Sequence, residues 1–254
     1  MKNLKTTLTA LALVGLVHSS HAASVRVTFD NWIFNGSGYD VVQITFPNAN
    51  PNGAAVVENV AAGRFQGTGD QVVGVNPSIF VDGLNDLYMY CYDLYESINH
   101  GSVVNYNINF GGELARTRDF LGAVNAVMNP GKQLGDQGYD KFAWLHPVNG
   151  AQGAAIQLGI WESRYETSEL WDLANGSFRA AAVDVATANH WNAFRAAISS
   201  SDAVADEFVM VLEAAGAQDM ITADPPGRVP EPATAGLLGL ALVLMAVRRK
   251  AARQ

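Results

Sequence analysis

The chain carries, near its C-terminus, a segment that does not fit an ordinary water-exposed fold. Val229-Pro230-Glu231-Pro232 leads into an uncharged, mostly apolar run from Ala233 to Val247, and Arg248-Arg249-Lys250 closes it, with Arg253 just beyond. As a helix, residues 233–247 would span roughly 22 Å at about 1.5 Å per residue. A bilayer's hydrocarbon core is about 30 Å thick and usually takes about 20 residues. The segment is therefore short for a permanent span and suits a temporary anchor, lengthened by snorkelling of its basic flank. The basic end is expected to stay cytoplasmic. An ordinary single-span tail anchor is the alternative, but it gives Pro230 and Pro232 no role.

The other end has a matching character. Lys2 and Lys5 precede an apolar stretch from Leu8 to Val17, and Ser20-His21-Ala22 supplies small residues where a signal peptidase cuts. That pattern is a secretory leader, removed after export. The expected organisation is a signal peptide at 1–22, a folded body at 23–223, a Pro/Gly-rich linker at 224–228 and a sorting or anchor segment at 229–254. The body is long enough for one domain with a real core.

The order Pro-Glu-Pro, apolar helix, basic stop resembles the PEP-CTERM sorting signal of exported bacterial surface proteins. The resemblance implies an exosortase-type membrane peptidase as partner, acting near Pro230, Glu231 and Pro232. It also implies transient anchoring in the inner membrane through 233–247, then delivery to the cell surface or extracellular matrix.

Charge narrows the partners. Two of the 16 basic residues lie in the leader and four in the tail, with one of the 24 acidic residues, which leaves body and linker together, 23–228, with 10 basic and 23 acidic residues and a net charge of −13. Such a surface argues against nucleic acid and anionic lipid. The single cysteine, Cys91, has no disulfide partner in the chain, although exported proteins usually pair theirs. It reads as a buried hydrophobe, a free thiol, an intermolecular partner or a reactive group.

Alternating apolar residues predict strands over 25–29, 39–46 and 103–110, and the aromatic run 87–95 predicts a buried central strand. Asn35-Gly36 and Asn52-Gly53 mark tight turns. Helical periodicity covers 113–128, 153–166 and 180–199, with Asn129-Pro130-Gly131 as a stop, and a last strand covers 208–212. Strands, then helices, then a strand predict an α+β fold, an antiparallel sheet with helices packed beside it.

On the second helix Gln157 shares a face with Ala154, Ile160, Trp161 and Tyr165. A carboxamide aimed into an apolar face must be satisfied, because leaving it unpaired costs roughly 1–3 kcal/mol. It bonds something specific or reacts with something specific. Cys91 offers the second route, by attack on the amide carbon to give an internal thioester. That chemistry needs proximity, a donor for the oxyanion and exclusion of water. Tyr90, Tyr92 and Trp161 are suitable walls.

Tyr90-Cys91-Tyr92-Asp93-Leu94 and Ile156-Gln157-Leu158-Gly159-Ile160-Trp161 resemble the paired signatures of thioester domains in bacterial surface adhesins, an aromatic-Cys segment and a Thr-Gln-x-Ala-Ile-Trp helix. Gln157 and Trp161 keep that spacing, whereas Ile156 stands for the Thr and Gly159 for the Ala. Glu162, Tyr165, Gly176, Phe178 and Gln218-Asp219 extend the resemblance, over about residues 86 to 222, to a subset of PEP-CTERM proteins. What it implies is covalent adhesion to a surface amine or polysaccharide, in one event without turnover. A non-reactive structural protein on the same scaffold is the alternative. A Cys-His hydrolase using Cys91 with His100, His146 or His190 is a second. No phosphate-cradling glycine loop and no HExxH is present, and Asp82-Gly83-Leu84-Asn85-Asp86 lacks the downstream glutamate of a calcium loop. Neither cofactor nor metal is expected.

Overall fold

The computed structural model describes residues 22–110 and 114–224. The expected anchor and sorting residues Pro230, Glu231 and Pro232 lie outside them, as do the leader up to His21 and the linker beyond Asp224. Among the described residues no helix is long and apolar enough to cross a membrane.

Nine strands and three α-helices are described. In chain order they are β1 (Ser24–Phe29), β2 (Tyr39–Phe46), β3 (Val56–Gly63), β4 (Phe65–Val73), β5 (Leu87–Cys91), β6 (Val103–Asn109), α1 (Ala115–Met128), α2 (Gly150–Tyr165), β7 (Arg179–Ala181), α3 (Val185–Ala197), β8 (Val209–Ala214) and β9 (Ala217–Ala223). Six strands close into an antiparallel barrel in the order β1-β4-β5-β9-β8-β6, and β6 returns to β1. A separate antiparallel sheet has the order β3-β2-β7.

The expectation of an α+β fold built on an antiparallel sheet is thereby corrected to a β-rich fold around a closed barrel, with a small second sheet and three helices. The physical reason lies in β1. It pairs with β4 along one edge, Val27 opposite Gly69, and with β6 along the other, Val27 opposite Val104. Alternation of apolar residues reveals which face of a strand is buried. It does not reveal that the last edge of a sheet meets the first, which closure alone decides.

The barrel interior is filled by side chains, as a narrow barrel requires. Val25, Val27 and Phe29 of β1, Leu87 and Met89 of β5, and Tyr106 and Ile108 of β6 are all buried. Phe29 meets the rings of Phe65 and Tyr106 edge-on. Strands β3, β4, β7 and β9 were not foreseen. In β4 the signal is weakened by glycine. A Cβ on Gly67 would stand 2.9 Å from the carbonyl oxygen of Thr28, so only glycine lets β4 approach β1 there.

Helix α2 is buried along nearly its whole circumference. It packs against α1, α3, β2 and β3 and also meets β5 of the barrel. Asn149 caps its first turn by accepting from the Gln152 N–H at 2.9 Å, and the Gln152 side chain returns a bond to the Val148 N–H. This reciprocal cap starts the helix three residues before its expected first residue, Gly153.

Candidate functional site

Cys91 is the last residue of β5. On one side β5 pairs with β9, Tyr90 opposite Ile221 and Cys91 opposite Met220. On the other side it pairs with β4 only as far as Met89, opposite Phe65. Successive residues of an antiparallel strand direct their backbone groups to alternate sides. Tyr90 therefore addresses β9, while the N–H and C=O of Cys91 face the side that β4 has already left.

The side chain of Gln157 fills that gap. Its Oε1 accepts the Cys91 N–H at 2.9 Å, and its Nε2 donates to the Cys91 carbonyl oxygen at 2.8 Å. The carboxamide thus pairs with Cys91 as one residue of a neighbouring strand would. Gln157 is fully buried and Cys91 nearly so. The two residues singled out from the sequence, 66 positions apart, are brought into direct contact.

The thiol is electrostatically quiet. Burial pushes the Cys91 thiol well above its ordinary range, and the neighbouring Asp93 carboxylate raises it further. Alternation puts Cys91 on the Leu87–Met89 side of β5. Tyr106 on β6 also feels its charge, after a larger upward push from burial. The hydroxyl of Tyr106 donates to the Gln218 carbonyl at 2.9 Å.

Tyr90, Tyr92 and Trp161 are all buried, but alternation directs Tyr90 and Tyr92 away from the Cys91 side of the strand. The Tyr90 hydroxyl donates to the Trp144 carbonyl at 3.1 Å. Tyr92 lies beneath the Arg164 guanidinium, 4.8 Å from ring centre. Trp161 packs against Phe178. They seal the layer between the barrel strand and the helices rather than the thiol face itself. Tyr106, which does share the thiol's surroundings, was missed; its place in the β6 alternation was the available signal.

The departure at Gly159 has a steric cause. A Cβ there would fall 1.9 Å from the Phe120 ring of α1, which lies on the helix surface at that point. The Gln218-Asp219 pair also finds a place. Gln218 Nε2 donates to the Asp93 carbonyl, the Asp219 N–H donates to Asp93 Oδ2 at 2.7 Å, and Tyr92 N–H donates to the Asp219 carbonyl. These bonds fasten the segment just after Cys91 to β9.

Asp93, Glu96 and Asp219 bring carboxylate oxygens within 4.8 Å of one another. Those oxygens accept backbone N–H groups of Glu96, Asp219, Ala214 and Gly216, so the cluster knits a turn to the β8–β9 hairpin. Burial raises Asp93 to about 6 and raises Asp219 as well.

The three histidines are engaged elsewhere. His100 stacks on Trp32 and its Nδ1 accepts the Ile33 N–H. His146 Nε2 lies 2.9 Å from Asp82 Oδ1, and its Nδ1 lies 3.6 Å from Asp140. His190 stacks on Phe194. Among the described residues none of them is bonded to Cys91.

Residues 228–250 match the family model described as PEP-CTERM protein-sorting motif. The motif marks an exported protein, transiently held at the membrane and sorted to the cell surface, of the kind processed by the membrane peptidase exosortase. No curated protein and no solved structure matches the chain. The body's thioester resemblance thus has no support from these comparisons, and its chemistry rests on the geometry alone.

Proposed function

We propose that the exported body forms an internal thioester between Cys91 and Gln157, and that a nucleophile on a target surface, an amine above all, opens it to leave the protein covalently attached. The observation that carries this reading is the paired hydrogen bonding of the Gln157 carboxamide to the backbone of Cys91.

In this reading the sulfur of Cys91 attacks the amide carbon of Gln157. The negative charge that develops on Oε1 is met by the Cys91 N–H, already aligned with that oxygen. The C–N bond breaks, the thiol proton goes to the departing nitrogen, and ammonia leaves. An incoming amine then breaks the C–S bond, forms an amide on the Gln157 carbon and returns its proton to sulfur. The two hydrogen bonds tie the carboxamide to the backbone unit that carries the thiol, which limits the motion needed to bring sulfur and amide carbon together. The raised thiol opposes the attack and makes the step slow, and the dry interior protects the bond once formed.

A second reading rests on the same bonds. Gln157 completes the hydrogen bonding of an interrupted strand edge, which is sufficient reason for a buried glutamine in a non-reactive surface or matrix protein.

Intact mass of the full-length protein, purified in mild detergent without reductant, separates the two. The thioester reading expects a mass one ammonia below that calculated for the processed chain, and for Cys91→Ala no such deficit against its own calculated mass. It also expects uptake of one methylamine by the parent and none by the variant. An unmodified mass together with a Cys91 that alkylates stoichiometrically on unfolding would sink it in favour of the structural reading.

A further inference from the structure

A second place on the body has the chemistry of a ligand site. The turn that follows β1 carries Trp32, 52 % exposed, beside Tyr39, 42 % exposed, their ring centres 6.0 Å apart. Large aromatic side chains normally bury most of their surface, and these two sit together on the outside. They are not loosely held. The His100 ring stacks on the indole at 21°, and that histidine is oriented by the Ile33 N–H. Tyr39 is backed by Phe34 at 4.8 Å.

Trp32 lines an open cleft of about 610 Å³, together with Asp30, Asn31, Asn35 and Gly101. That volume falls within the range of small-molecule sites, roughly 300–1,000 Å³. Asp30, Asn31 and Asn35 bring a carboxylate and two carboxamides to the residues around the cleft, and Asp30 is raised by burial and by the nearby charge of Asp86. Gly101, beside Asn31, is glycine for its left-handed backbone at φ +73°.

We propose that this cleft binds a pyranose ring of an uncharged polysaccharide. A sugar ring presents a face of weakly positive C–H groups, which suits the negative face of an indole. Its rim of hydroxyls both donates and accepts, which suits a carboxylate and two carboxamides. The net charge of −13 on the body opposes uronate-rich or sulfated chains. A bare ammonium ion is far smaller than the cleft and would leave both asparagines unused. The site needs nothing from Cys91 or Gln157, and would hold a glycan reversibly whether or not the thioester forms.

The test is calorimetric titration of the full-length protein in detergent with cellohexaose, chitohexaose, oligogalacturonate and choline, with circular dichroism of every variant. At least one of the two neutral oligomers should bind, and Trp32→Ala should weaken it about tenfold or more while Trp32→Phe weakens it less. Asn31→Ala combined with Asn35→Ala should also weaken binding at an unchanged fold, and Cys91→Ala should leave it unaltered. Absence of binding by both neutral oligomers, binding that survives Trp32→Ala, or preference for oligogalacturonate or choline would each overturn the proposal.

Discussion

Gln157 supplies, from a helix, the two hydrogen bonds that a strand would otherwise give to Cys91. Gln157→Ala should therefore cost about 2–4 kcal/mol, because it orphans a buried N–H and a buried C=O together. Cys91→Ala leaves that pairing in place and should cost only about 1–2 kcal/mol, the loss of a small buried side chain. Urea denaturation of the two variants checks the order, and the reverse order would contradict the strand-like role. Gly159 offers a second test. Gly159→Ala forces a methyl group into the Phe120 ring, so despite alanine's better helix propensity it should destabilise by about 1–3 kcal/mol. Adding Phe120→Leu should recover part of that loss, which a double-mutant cycle would read.

Among the elements, the segment after β5, the turn before α2 and helix α2 itself hold the titratable groups that matter near neutral pH. Burial raises Asp93, joined to β9, to about 6, and raises Glu162 on α2 to about 7. Glu162 has one oxygen bonded to the Asp172 N–H and the other buried with no hydrogen-bond partner among the described residues. His146 is raised by its bond to Asp82. A group whose value is higher folded than unfolded contributes stability that is complete below its unfolded value and is lost as pH rises through its folded value. All three act in that sense, Asp93 and Glu162 between about pH 4 and pH 7 and His146 only above its ordinary value. The melting temperature should accordingly fall between about pH 4 and pH 7, and Glu162→Gln with Asp93→Asn should flatten the slope. A melting temperature that climbs over that interval would contradict the assignment.

For the whole molecule, closure of the barrel depends on strands far apart in the chain. β5 and β6 each lack one neighbour until β8 and β9 arrive. A chain truncated after Phe208 should fail to fold, detected as loss of near-ultraviolet circular dichroism and rapid proteolysis, because two buried strand edges would be left open. Refolding of the intact body should fall in the slow range of non-local β folds, milliseconds to seconds.

The local elements with strong periodicity were legible in the amino-acid sequence. β1, β2 and β6, the core of α1, and the stop at Asn129 all followed from side-chain alternation and turn residues. The glycine-bearing β4 and the short β7 were not, since close backbone approach and length leave little pattern to see. The Cys91–Gln157 pair was legible as two residues needing partners, while the form of their contact was not.

The linear order of residues was sufficient for the sorting tail, since its proline spacer, apolar run and basic stop follow one another in consecutive residues. It was sufficient also for the acidic character of the body and for the need to satisfy a buried carboxamide. Only the folded arrangement decided that the sheet closes on itself, that β4 turns away from β5 just short of Cys91, and that Gln157 takes the vacated edge. Those outcomes depend on which strand edges meet, a property of the chain in three dimensions that no window along it contains.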